Sequence, residues 1–136
     1  MDDIDKKIIE ILKRNSRKSY TKIAKEVGLT EGAVRRRIKM LVKRGIIKRF
    51  TIEVSEEKGL IKALCFVKVD PRIETSKVSE VIKKLPDILW CYEISGDYDI
   101  VCMIAKETIK DINDTIERIR RIEGVIYTSS SLILKE

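Results

Sequence analysis

Residues 30–43, TEGAVRRRIKMLVK, decide how the amino-terminal part of this 136-residue chain folds. At 100° per residue Val34, Ile38 and Leu41 fall on one face. Gly32, Arg35, Arg36, Lys39 and Lys43 fall on the other. One face can pack on a core while the opposite face presents four cations. A helix of this kind fits the major groove of DNA, where Arg and Lys suit base edges and phosphates. The same pattern alone also describes an ordinary solvated basic helix face. The residues that precede it decide between the two.

Upstream, Asp2 or Asp3 caps a helix that runs to Lys13 or Arg14, with Ile4, Ile8, Ile11 and Leu12 at helical spacing. Asn15-Ser16-Arg17-Lys18 reads as a turn. Ser19 caps a second helix, TKIAKEVG, with Ile23, Ala24 and Val27 inward. Gly28 stands where a helix end wants a left-handed residue. Thr30 caps the third helix, and Ala33 at its N3 position rules out a reciprocal capping box. Two short helices joined by a glycine turn predict a helix-turn-helix, with the second as reader. After Gly45, IIKRFTIEV is β-branched and partly alternating, and is expected as a strand or short wing beside the reader.

Charge divides the chain in the same way. Residues 1–50 hold 16 Lys/Arg against 6 Asp/Glu, and residues 51–136 hold 13 against 16. A basic half that meets a polyanion is joined to a mildly acidic half with another job. Hydrophobic residues make up 43% of the chain, enough for packed cores. No apolar run approaches the ~20 residues that span a bilayer, and MDDIDKK lacks a signal-peptide pattern, so the expectation is cytoplasmic with no membrane partner. Cys65, Cys91 and Cys102 are odd in number and scattered, and are expected as reduced core thiols rather than metal ligands or a disulfide frame. There is no His.

The polar stretch Ser55-Glu56-Glu57-Lys58-Gly59 marks a boundary. The expected division is a reader over 1–50, a linker strand or hinge over 51–60, and a second domain over 61–136. That second domain alternates strand and helix. Ala63–Val69 reads as a strand, then Glu74–Leu85 as a helix with Val78, Val81, Ile82 and Leu85 inward. Ile88–Ser95 and Tyr98–Ala105 read as strands around a Gly96-Asp97 turn. Thr108 caps a helix with Ile109, Ile112, Ile116 and Ile119 inward, and Val125–Leu134 is the last strand. The fold class is therefore α+β: an N-terminal winged helix-turn-helix, then a ferredoxin-like βαββαβ antiparallel sheet with both helices on one face. Ile88, Trp90, Tyr92 and Ile94 alternate with Leu89, Cys91 and Glu93. The sheet would therefore expose an apolar open face. A symmetric dimer would bury it; the linker or the first domain is the other way to cover it.

With these residues in place, the chain resembles the Lrp/AsnC (feast/famine) family of transcription regulators over essentially its whole length. The resemblance rests on Asp5, Ile8 and Leu12, then Asn15, Arg17 and Ser19, Ile23-Ala24 and Gly28-Leu29-Thr30. It continues with Val34, Arg37-Ile38, Leu41 and Gly45-Ile46-Ile47. In the second half it rests on SGDYDI (Ser95–Ile100) and on Gly124-Val125 followed by Thr128–Ser131. It implies a winged helix-turn-helix on double-stranded DNA, dimers through the ferredoxin-like domain, octamers or other higher species, and a small amino-acid effector held between dimers. The matching effector positions are Gly96, Asp97, Tyr98, Asp99, Thr128 and Ser130. An acidic carboxylate would accept from the ammonium, and hydroxyls and backbone N–H groups would donate to the carboxylate. Gly-Asp is equally a common hairpin turn, and in Thr128-Ser129-Ser130-Ser131 the register leaves open which pair faces a ligand. The acidic pair points to lysine, arginine or glutamine rather than an acidic effector.

On the DNA side, Thr30, Glu31 and Gly32 open the reader. Arg35, Arg36 and Lys39 are expected in the major groove, with Arg17, Lys18, Lys22, Lys48 and Arg49 on phosphates. The expected function is a sequence-specific DNA-binding regulator. The alternative is a ligand-independent architectural DNA-binding protein. Catalysis finds no support: there is no His, no phosphate loop and no nucleophile elbow, and no metal or cofactor is expected.

Overall fold

A computed structural model describes residues 1–54 and 59–135. It divides into two compact units, Met1–Ser55 and Glu56–Glu136. Of the expected hinge, Ser55 to Lys58 lie outside the described residues.

The first unit is three helices, α1 (Asp3–Arg14), α2 (Tyr20–Val27) and α3 (Glu31–Lys43). Each begins at an oxygen-bearing cap. Asp2, rather than Asp3, caps α1 and forms a reciprocal capping box with Asp5. Ser19 caps α2 by accepting from Lys22 N–H, and Thr30 caps α3 by accepting from Ala33 N–H. Each cap contributes about 1 kcal/mol. Gly28 ends α2 at φ 71. Ile8, Leu12, Ile23, Ala24, Val34 and Ile38 form one core, with Val27, Leu29 and Ile47 packed at its edge.

The expected strand after Gly45 does not form: residues 46–54 belong to no helix or strand. A strand exists only through its ladder, and among the described residues none pairs with this segment. Phe50, Ile52 and Val54 stand 53%, 73% and 64% exposed.

The second unit is β1 (Ile61–Val69), α4 (Thr75–Lys83), β2 (Ile88–Glu93), β3 (Ile100–Lys106), α5 (Ile109–Arg120) and β4 (Val125–Leu132). The four strands form one antiparallel sheet in the order β2-β3-β1-β4. Val67, Cys65, Ala63, Ile100, Cys102, Ile104 and Cys91 point to the helix side, where they meet Val78, Ile82, Ile112, Ile116 and Ile119. The three cysteines are free and buried.

Several details differ from the expected pattern. Val81 and Ile109 are 45% and 59% exposed, not inward. The buried stripes are Val78-Ser79-Ile82 and Ile112-Thr115-Ile116-Ile119. Val81 is one residue off the face set by Val78 and Ile82, and Ile109 sits in the first turn, at the end of its stripe. Both strands around Gly96-Asp97 are shorter on that side than expected, so residues 94–99 form a loop rather than a two-residue turn. A register shift between Ile88 and Trp90 puts Ile88 opposite Ile104, on the covered side, while Trp90 pairs with Met103 on the open side.

Gly124 enters β4 at φ 97, and a Cβ there would lie 3.1 Å from Ile73 and Val78 side chains. Only glycine meets both conditions. Asp87, between α4 and β2, gathers three donors: Lys106 Nζ at 2.9 Å, Arg118 Nη2 at 3.0 Å and Thr115 Oγ1 at 3.2 Å. Chiefly through Lys106, its carboxyl is held below the usual range.

Candidate DNA interface and effector site

The reader helix α3 keeps Val34, Ile38 and Leu41 buried and leaves Glu31, Gly32, Arg35, Arg36 and Lys39 exposed. Those exposed residues include the first turn and a half, the part of a recognition helix that meets base edges. Its cations are not equivalent. Arg37, at the edge of the apolar face, donates to Asp2 at 2.7 Å and Asp5 at 2.8 Å, so it clamps α3 to the start of α1. Arg35 donates from Nη2 to Glu31 Oε1 at 2.8 Å and sits over the Tyr20 ring, 5.0 Å from its centroid. Thr21 Oγ1 donates to the other Glu31 oxygen at 3.1 Å. Arg35 first, then Thr21, holds the Glu31 carboxyl below its usual range. Among the described residues, Arg36 and Lys39 have no ion-pair partner.

Of the cations expected on phosphates, Arg17, Lys48 and Arg49 come together. They line a groove of about 730 Å³ with Lys13 and Arg14 at the end of α1, over Ile9, Leu12 and Phe50. Lys13 and Arg14 were not among the expected contacts; their place in the last turn of α1 was the available signal. Lys22 is exposed on α2, whereas Lys18 is ion-paired to Glu26 and half-buried. Beyond its own helix, no described residue comes within 4 Å of where a Gly32 Cβ would stand, so none of them requires glycine there.

The expected effector residues separate into two groups. Gly96 and Asp97 are exposed in the 94–99 loop, and Asp97 has no ion-pair partner among the described residues. Tyr98 lies on the open face between Phe66, at 5.5 Å, and Tyr127, at 6.3 Å. Asp99 turns inward. Its Oδ2 accepts from Val69 N–H at 2.8 Å and lies 3.6 Å from Lys68 Nζ. β1 runs on to Val69 while β3 begins only at Ile100, opposite Val67, so the Asp99 carboxylate supplies the acceptor that the β1–β3 ladder lacks at Val69. Thr128 is buried opposite Val67 and accepts from Arg120 Nε at 2.8 Å. Ser130, opposite Cys65, shares that side, whereas Ser129 and Ser131 pair with Phe66 and Leu64 on the open face with Tyr98. Arg120 carried no sequence signal, because its partner lies across the α5–β4 turn.

Residues 1–48 match the family of winged helix-turn-helix DNA-binding domains, and residues 62–136 match the Lrp/AsnC ligand-binding domain. The chain belongs to the Lrp/AsnC family of transcription regulators. It is 47% identical over 135 residues to the HTH-type transcriptional regulator LysM of Saccharolobus solfataricus, covering 99% of this chain and 94% of that one. The structure of LrpC from B. subtilis superposes with a TM-score of 0.81 at 30% identity, covering all of this chain and 96% of the other. The Neisseria meningitidis regulator NMB0573, crystallised as an L-Met complex, shares the fold with a TM-score of 0.86 at 24% identity over 100% and 91% of the chains. As an Lrp/AsnC protein, the chain is a DNA-binding transcription regulator and not an enzyme. Among the described residues, no helix is long and apolar enough to cross a membrane.

Proposed function

We propose that this Lrp/AsnC protein is a sequence-specific regulator of double-stranded DNA whose second domain self-associates and senses a small amino acid. The observation that carries the reading is the exposed first part of α3, with Gly32, Arg35, Arg36 and Lys39 presented together above a fully packed face. Thr30 and Glu31 open this surface, and Arg17, Lys18, Lys22, Lys48 and Arg49 supply phosphate contacts, Lys18 by exchanging Glu26 for a phosphate.

Self-association is supported by the open sheet face. Trp90 and Tyr92 lie 5.3 Å apart there, and Phe66, Tyr98 and Tyr127 continue the aromatic surface. Tyr92 and Tyr127 remain 61% and 58% exposed. A symmetric dimer buries such a surface against its own copy, and octamers follow from the family resemblance. A regulator of this kind works in the cytoplasm, on the DNA.

For the effector, the 94–99 loop offers Asp97 to an ammonium and the Gly96 backbone to a carboxylate, and hydroxyls of the 128–131 stretch are further donors for that carboxylate. Asp99 holds β1 in place, which leaves Asp97 as the recognition carboxylate. An acidic site favours lysine, arginine or glutamine; the L-Met complex of the Neisseria protein shows an amino acid as the ligand of that fold relative. A thermal-shift panel of the twenty amino acids tests this. At 100 times its dissociation constant a ligand adds about 2.7 kcal/mol. One amino acid is expected to raise the melting temperature of the wild type and not of Asp97→Asn. No shift with any of the twenty removes the sensor reading and leaves a ligand-independent regulator.

A further inference from the structure

We propose that Arg35 is the residue that reads a guanine in the operator, and that Glu31 and Tyr20 are positioning residues that fix its guanidinium for that contact. The inference rests on the sequence-specific reading above and goes beyond it, because it divides the reader's cations by role.

The starting point is an asymmetry among neighbours on one helix. Arg35, Arg36 and Lys39 are all exposed, yet among the described residues only Arg35 is tethered. Its side chain is 62% exposed while bonded at 2.8 Å to Glu31, which is one turn nearer the helix start. Glu31 is itself held by Thr21 from the first turn of α2, and the Tyr20 ring lies under the Arg35 guanidinium. The four side chains therefore join the starts of α2 and α3. Those are the two helix ends that approach a duplex in a helix-turn-helix.

An exposed ion pair of this spacing adds little to stability. Stability therefore does not account for spending an acid on it in a surface that must meet phosphates, where a negative charge works against affinity. Orientation does account for it. A bidentate contact to guanine O6 and N7 needs the planar fork at one angle, and a free arginine has many rotamers. Glu31 uses one of five N–H donors and Tyr20 covers one face. The remaining donors stay free at the edge. Arg36 and Lys39, untethered, suit acceptors whose position varies, as phosphates do.

The test is selection from a random-sequence duplex pool, followed by binding of the enriched duplex and a shuffled duplex across a salt series. The wild type is expected to enrich a motif with an invariant guanine. Arg35→Ala, Arg35→Lys (which keeps charge but loses the fork) and Glu31→Gln should all flatten that same column, with guanine preference falling about tenfold or more. Glu31→Gln should bind the shuffled duplex no more weakly than the wild type. Tyr20→Phe, which keeps the ring, should keep the column. Lys22→Ala should weaken both duplexes alike and keep it too. The proposal is overturned if Glu31→Gln leaves the column intact, or shifts enriched and shuffled duplexes by one common factor. A wild type that enriches no sequence overturns the sequence-specific reading itself, and this inference with it. Failure then appears in the wild type rather than in one variant.

Discussion

Replacing Gly32 with alanine separates what the fold wants from what the duplex wants. Gly32 lies in the first turn of α3, with helical backbone and open space where a Cβ would stand. Alanine is therefore free to occupy the site without a clash. Glycine in a helix costs about 0.5–1 kcal/mol relative to alanine, and the first turn lies at the low end. Gly32→Ala is thus expected to stabilise the protein by about 0.5 kcal/mol, raising its melting temperature by roughly 2 °C. On DNA the sign reverses. The added methyl projects about 1.5 Å from the helix surface. An outward shift of half that distance stretches a base-edge hydrogen bond of about 2.9 Å past 3.5 Å, where it no longer counts as one. One charge-assisted contact, about 1.5–3 kcal/mol, is lost, so affinity for the enriched duplex should fall about tenfold or more. Calorimetry gives the first number and fluorescence anisotropy with a labelled duplex the second. A variant that melts higher and binds DNA as tightly as the wild type refutes the claim that close approach to DNA explains this glycine. A variant that melts lower refutes the helical argument.

Other perturbations test the second domain. Asp87→Asn removes the charge that gathers Lys106, Arg118 and Thr115, at a carboxylate only 13% exposed, and should destabilise by about 2–3 kcal/mol in urea unfolding. Because Lys106 above all holds the folded Asp87 carboxyl below the usual carboxylate range, its contribution is present above about pH 4 and lost as the pH falls through the folded value. Asp87→Asn should therefore flatten the acid limb of the stability profile, and an unchanged limb would refute the assignment. Gly124→Ala meets both the positive φ and the contact with Ile73 and Val78; a loss of about 1–3 kcal/mol is expected in the same assay, and a neutral result would show that the β4 entry relaxes freely. Burial raises the Cys91 thiol, and a hydrogen bond with Cys65, then burial, raise Cys102. All three thiols should resist an aromatic disulfide reagent in the native protein and react on unfolding; rapid native labelling would refute their core placement.

The sequence by itself determined the three helices of the first unit, the βαββαβ elements of the second, their order and the family. Ile4, Ile8, Ile11 and Leu12 or Val34, Ile38 and Leu41 repeat at helical spacing, Ser19 and Thr30 cap where they were expected, and the βαββαβ order leaves few ways to close one antiparallel sheet. These are local signals, fixed by residues within a turn or two of each other. Only the tertiary structure decided which partner each functional side chain has. Alternation assigns faces only until a bulge interrupts it, so the shift at Ile88/Trp90 moved Ile88 to the core. The β1–β3 ladder stops at Val67 and Ile100, and Asp99 satisfies the Val69 N–H beyond its end from 30 residues away. The pattern of IIKRFTIEV promised a strand, but a strand needs a neighbour, and the pattern carries no information about one. In the reader, helical spacing put Arg35 and Arg36 together on the outer face and set Arg37 apart, without naming a partner for any of them. Arg37 became a clamp on Asp2 and Asp5, and Arg35 a guanidinium held by Glu31 and Tyr20. Arg36 has no ion-pair partner among the described residues, because a helix turns 100° per residue and gives each neighbour a different surrounding surface.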